Sequence, residues 1–249
     1  TIMNNQKIRL GVNLDHIAFI KKSRGTEYPN LVEAVKISED AGADLITIHL
    51  REDRRHIQDH DVEVIRKNAR ILNLEMAHTD EMVKIALNIK PDFCCIVPEK
   101  RNEVTTEGGL DLISLDNSQL QTMKNNIEIL TKSNIKTSLF IDPDENQIKI
   151  AKSVGAELVE LHTGYYANSH NPDSSTSSLE KLMNAAEIAN KLGLLVNAGH
   201  GLNYDNLSPI CKIKHLNELN IGHSIISQSV FTGLKDAIEK ILSIIRNCD

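Results

Sequence analysis

The chain has 249 residues, 41% of them hydrophobic and 25% charged, with a formal net charge of -6 at pH 7. A chain of this size can build one sizeable core, and its composition excludes intrinsic disorder. The acidic balance excludes nucleic-acid or anionic-membrane binding driven by bulk charge, and no apolar run approaches the roughly 20 residues of a membrane span.

The N-terminal TIMNNQKIRLG lacks the apolar core of a signal peptide, so the expected setting is the cytosol. Ile8 to Leu14 reads as a strand ending on Asp15 and His16. Leu31 to Ala41 has helical spacing and stops at Gly42. LITIHL, from Leu45, is a buried strand that runs into His49, Arg51, Arg54, Arg55 and His56. Two imidazoles and three guanidinium groups do not belong in an apolar core without partners, so the chain must open onto a polar space there. Asp61 to Arg70 reads as a helix, Ile71 to Met76 as a strand carrying Glu75, and Thr79 caps a helix that Pro91 ends. Phe93 to Val97 is the next strand. Pro98 to Asp111 is polar and holds Gly108 and Gly109, which suits a closing loop over a site.

Further on, a helix from about Gln119 to Thr131 precedes the strand Lys136 to Ile141, which ends on Asp142. Glu145 to Val154 reads as helix, and Glu157 to Leu161 as a strand carrying Glu160 and leading to His162. The polar stretch Tyr165 to Ser178 connects it to a helix from Ser177 to Leu192. Leu194 to Ala198 is a strand followed by Gly199, His200 and Gly201, and Leu216 to Ile221 is a strand followed by Gly222 and His223. A long helical tail runs from about Ser227 to Arg246.

Strands alternating with helices predict a parallel sheet with right-handed crossovers. An open doubly wound sheet shares the alternation, but its polar strand ends gather at one switch point. Here polar residues finish nearly every strand, which predicts an α/β fold of the (β/α)8 TIM-barrel type with additional helices. No Pro-, Gly- or Ser-rich linker divides residues 1–249, so one domain is expected.

Five of the ten histidines, His16, His49, His162, His200 and His223, lie at or just after a strand's C-terminal end, where a barrel brings them together. Imidazole suits proton transfer near neutral pH. Asp15, Glu75 and Glu160 are the carboxylate candidates. Two compatible readings stand for Glu75: a raised pKa suited to acid-base work, or a buried salt bridge with Arg51. Two regions suit anions: Arg24 and Arg51, whose guanidinium groups grip phosphate through paired hydrogen bonds, and the loops NAGHG and NIGHS after the last two strands. Arg54 and Arg55 are either phosphate ligands or partners of acidic neighbours. Two anion sites imply two phosphorylated substrates or one bisphosphate. Metal binding is disfavoured by the nearby arginines and by the absence of His-x-His or H-E-x-x-H patterns. A Schiff-base role would fall to Lys100. Cys94, Cys95, Cys211 and Cys248 show no C-x-x-C pairing, and the first two read as buried free thiols.

The runs GVNLDHIA, RGTEYP, AGADLITIHLREDRRHI, NLEMA, FCCIVPEKRNEVTTEGGLD, SLFID, ELHTG, NAGHGLN and LNIGHSII resemble the pyridoxine 5'-phosphate synthase family from Gly11 to about Asp236. That resemblance implies a (β/α)8 barrel assembled as an octamer, with no metal or organic cofactor. It implies condensation of two small phosphorylated substrates, 1-deoxy-D-xylulose 5-phosphate and 3-amino-2-oxopropyl phosphate, to pyridoxine 5'-phosphate, phosphate and water. By motif, His49 and Glu75 would accept protons, His200 would donate one, and Glu160 would stabilise transition-state charge. Asn13, Arg24, Gly201, Gly222 and His223 would hold the amino-ketone phosphate; Asp15, His16, Arg51, His56 and Thr105 would hold the sugar phosphate. The residues alone leave open a metal-dependent barrel lyase or hydrolase acting on a sugar phosphate, and a non-catalytic barrel that binds phosphorylated ligands.

Overall fold

The structure, a computed structural model, describes residues 7–99, 108–169 and 171–248. In chain order the elements are β1 (Arg9–Asn13), α1 (Asp15–Arg24), α2 (Leu31–Asp40), β2 (Leu45–His49), α3 (Asp59–Asn68), β3 (Leu72–Met76), α4 (Asp80–Ile89), β4 (Phe93–Ile96), α5 (Asn117–Lys132), β5 (Lys136–Ile141), α6 (Glu145–Ser153), β6 (Leu158–His162), α7 (Gly164–Ala167), α8 (Pro172–Lys191), β7 (Leu195–Gly199), α9 (Leu207–Cys211), β8 (Leu216–Ile221), α10 (His223–Thr232) and α11 (Leu234–Arg246). All eight strands pair in parallel in the order of the chain, and β1 pairs with β8 to close a barrel. The TIM-barrel expectation holds, and the strands depart from their expected bounds by no more than one residue at either end.

Three helical expectations change. Asp15 and His16, expected only as polar residues at a strand end, also begin α1, with Asp15 in its first turn, Lys21, Lys22 and Arg24 in its last, and Gly25 at φ 64° beyond it. Acid at the start and base at the end suit the helix dipole. The polar stretch from Tyr165 contains α7 and the start of α8, where Asn171 caps the helix and Pro172 occupies its first turn. The tail is two helices, because Gly233 between them adopts φ 83°, ψ 156°, a conformation almost reserved for glycine.

The main apolar core lies between the strands and the surrounding helices. The barrel interior is different. Thr47, Asn73, Ser138, Glu160, Asn197, Glu218 and Asn220 are buried polar groups. Hydrogen bonds join Thr47 on β2 to Asn220 on β8, and Asn220 to Glu160 on β6. Side chains of non-neighbouring strands meet only across the lumen, so these residues face inward, where barrels usually stack branched aliphatics. Cys95, Val97 and Phe140 form a small separate apolar cluster. Cys94 and Cys95 are buried and free, as expected.

Candidate active site

The end of β1 is tied to the end of β2 by one carboxylate. Asp15 Oδ2 accepts from Asn13 Nδ2 at 3.0 Å, and Asp15 Oδ1 accepts from the His49 backbone N–H at 2.8 Å. The register of β2 on β3 sets His49 opposite Glu75. His49 Nε2 lies 2.7 Å from Glu99 Oε1, and its Nδ1 lies 4.0 Å from Glu75 Oε2. A neutral imidazole that donates from Nε2 to Glu99 turns its Nδ1 lone pair toward Glu75. Burial works against ionisation of Glu99, but its bond and charge interaction with His49, the Glu52 N–H and Arg51 hold the carboxyl below its usual range.

Among the described residues Glu75 lies nearest His49 as a partner, and no Glu75–Arg51 bridge is found. Burial, then the charges of Glu160 and Asp15, push the Glu75 carboxyl well above the ordinary range. Glu160, 3% exposed, lies deeper in the same lumen. Its Oε2 accepts from Asn220 Nδ2 at 2.9 Å and from the Cys95 thiol at 3.8 Å. Burial and the Glu218 charge raise it to about 8, against the bonds from Asn220 and Cys95.

His200 follows β7 at φ 84°, and its carbonyl accepts from Thr163 Oγ1 at 2.5 Å. Burial, then the His162 charge, lowers its imidazole to about 4. The two rings lie 5.2 Å apart, and His162 Nδ1 is 3.0 Å from Asp142 Oδ1. Gly164 makes room here, since a Cβ on it would collide with the His162 ring.

The last two loops, where the sequence places an anion corner, come together beside Asn13. Gly201 has φ 76°, and Gly222 packs on Asn13 so closely that a Cβ would lie 2.8 Å from the Asn13 Cβ. His223 opens α10, whose first backbone N–H groups lack intrahelical partners, and its ring lies 4.9 Å from that of His16. Desolvation, then His223, lowers the His16 imidazole against Asp15. His56 sits 6.1 Å from His49, ring to ring, and burial outweighs Asp15 in lowering it. Arg51 is buried beside Asp53, at 3.3 Å from its Nε.

The geometry therefore gathers Asn13, Asp15, His16, His49, His56, Glu75, Glu160, His200, Gly222 and His223 around one end of the barrel. Arg24 is different. It is exposed at the far end of α1, about 14 Å along the helix from Asp15. Thr105 and Lys100 lie outside the described residues, as does the middle of the expected loop from Pro98 to Asp111. Arg54 pairs with Asp59 and Glu81, and Arg55 with Asp53, which favours the structural reading of both. Sequence reasoning does not single out Glu99, Asn220 or the Asp142–His162 contact as parts of the site.

The sequence profile of the family described as "Pyridoxal phosphate biosynthesis protein PdxJ" matches residues 10–247. The chain belongs to the PdxJ family. Its PdxJ relatives include the pyridoxine 5'-phosphate synthase of Photobacterium profundum, 54% identical over 237 residues that cover 95% of each chain. The pyridoxine 5'-phosphate synthase of Syntrophotalea carbinolica is 52% identical over 95% of this chain and 98% of its own. Solved structures similar to this PdxJ chain include KGPDC from Streptococcus mutans, with a TM-score of 0.63 at 14% identity over 98% of this chain and 99% of that one. Phosphoribosyl anthranilate isomerase from Thermus thermophilus has a TM-score of 0.57 at 10% identity, covering 97% and 100%. At such identities the structural likeness speaks for the PdxJ barrel fold alone.

Proposed function

We propose that this chain is an enzyme of vitamin B6 biosynthesis that condenses 1-deoxy-D-xylulose 5-phosphate with 3-amino-2-oxopropyl phosphate, giving pyridoxine 5'-phosphate, phosphate and water. The observation that carries this reading is the convergence of His49, Glu75, Glu160 and His200 on one barrel end in a PdxJ-family chain more than half identical to a named synthase. Imine formation, loss of phosphate and water, and ring closure are successive proton transfers, which need several acids and bases around one pocket.

His49 and Glu75 accept protons in this scheme. His49 offers the Nδ1 lone pair, and burial, which raises the Glu75 carboxyl beside it above the ordinary range, makes Glu75 in its ionised form a stronger base than an exposed carboxylate. Glu160 stabilises charge from below. His200, neutral at neutral pH before substrate arrives, donates as an N–H group, and a bound phosphate opposes the downward shift of its imidazole. Gly201, Gly222 and His223, with the first turn of α10, hold one phosphate beside Asn13. Asp15, His16, Arg51 and His56 hold the sugar phosphate, and Arg24 and Thr105 complete the two sets by motif. The enzyme works as an octamer, and exposed Phe19 and Ile20 on α1 with Val230 and Phe231 on the adjoining α10 supply apolar surface for self-association.

Incubating the purified chain with both substrates and no added metal should yield pyridoxine 5'-phosphate; absence of product overturns the reading. One observation favours a second reading. Ligand atoms of Asp15, His49 and Glu75 lie within 4.8 Å of one another, a set that can hold a divalent cation. Under that reading chelation abolishes turnover and metal analysis finds a stoichiometric ion. A non-catalytic barrel would bind both phosphorylated compounds without releasing phosphate.

A further inference from the structure

Beneath the site lies a second buried carboxylate that none of the proposed proton steps uses. Glu218 on β8 is 2% exposed. It accepts from Arg9 Nη2 at 2.5 Å, from Asn197 Nδ2 at 3.1 Å and from Asn220 Nδ2 at 3.1 Å. The same Asn220 nitrogen donates to Glu160 Oε2 at 2.9 Å, while Asn220 Oδ1 accepts from Thr47 Oγ1 at 2.7 Å. One amide thus spends its donors on two carboxyls and its oxygen on a third strand, which leaves it a single orientation. The backbone is shaped around it. A Cβ at Gly11 would collide with Asn220 Oδ1, and one at Gly199 would lie 2.5 Å from Glu160 Oε1 and 3.0 Å from the Asn220 carbonyl.

We propose that Asn220 is a positioning residue, which fixes the Glu160 carboxyl and couples it electrostatically to the Arg9–Glu218 ion pair at the barrel floor. The proposal rests on the reading of Glu160 as the charge-stabilising group. Two opposed influences then act on Glu160. Negative charge on Glu218 disfavours its ionised form, and the Asn220 N–H favours it. Among the described residues, the other titratable groups that act on Glu160 are Glu75 on β3 and Cys95 on β4, while Arg9 on β1 and Asp44 act on Glu218; the neighbours of Glu160 in register on β5 and β7 are Phe140 and Asn197, which do not titrate. Burial raises the Glu218 carboxyl above its ordinary range, and the charge and hydrogen bond of Arg9 oppose that rise.

Opposite signs distinguish coupling from mere packing. In the full-length chain, the protonated-carboxyl infrared band that Glu160→Gln abolishes should titrate at lower pH in Glu218→Gln and at higher pH in Asn220→Ala, each by about one pH unit. The pH profile of kcat should follow, with KM for both substrates little changed. Arg9→Met with Glu218→Gln leaves no unpaired cation and should move the band in the same direction as Glu218→Gln, which covers a single variant that does not fold. An unmoved band in the folded double variant, or Asn220→Ala and Glu218→Gln shifting together, overturns the proposal. If the bands move as expected while Glu160→Gln retains parental turnover, the coupling stands and the catalytic reading of Glu160 falls.

Discussion

His49 and Glu75 face each other across two paired strands, so the acid-base reading of both can be tested without disturbing the fold. His49→Ala and Glu75→Gln should each lower kcat by roughly 100-fold or more, with unchanged circular dichroism. Near-parental turnover in Glu75→Gln would remove its role. Glu160 carries a different signature. Its carboxyl sits at about 8 in the folded chain, above the ordinary value of 4.5, so folding favours the protonated form. The stability it contributes is complete below about pH 4.5 and is lost as the pH rises through about 8. Urea unfolding should therefore show Glu160→Gln gaining on the parent between pH 5 and pH 9, and a parallel pair of curves would contradict this. Residues such as His49, Glu75, Glu160 and His200 were legible in the sequence because a carboxyl or imidazole group inside or just after an apolar strand is costly to bury unless it faces a polar site. Asn220 was not. Its significance comes from meeting Glu160, 60 residues away, across the lumen, and no local pattern records that meeting.

At the scale of elements, alternating apolar runs made all eight strands legible, since each is bounded by turn residues and the barrel leaves none at an edge. Helices were less legible where a residue had two jobs. Asp15 ends the β1 segment chemically and opens α1 structurally, and its site chemistry masked its role in the helix dipole. The break at Gly233 was hidden because apolar residues flank it, Val230 and Phe231 before and Leu234 after. An alanine there would meet no neighbouring atom within 4 Å, so its effect is confined to backbone strain. Gly233→Ala should lower the unfolding free energy by about 1–3 kcal/mol, read from urea midpoints, because φ 83° with ψ 156° is costly for any residue with a Cβ. A loss well under this would show that the two helices can merge or rotate to relieve it.

For the whole molecule, the apolar surface on α1 and α10 bears on assembly. Phe231 is 85% exposed and Val230 72%, unusual positions for such side chains on an isolated chain. Phe231→Asp should leave the barrel folded and shift the mass seen by light scattering toward smaller species; an unchanged mass would place the self-association surface proposed above elsewhere. An octamer is what the family resemblance implies, and an exposed face does not state its own symmetry. The glycines at positions 11 and 199 have a practical consequence for protein engineering. Thermostabilising this barrel by enlarging interior residues, the route that works for aliphatic cores, would displace the amide and carboxyl oxygens those glycines accommodate. Directed evolution for heat tolerance should therefore collect its beneficial changes in the outer helical layer and leave the lumen of the barrel unaltered.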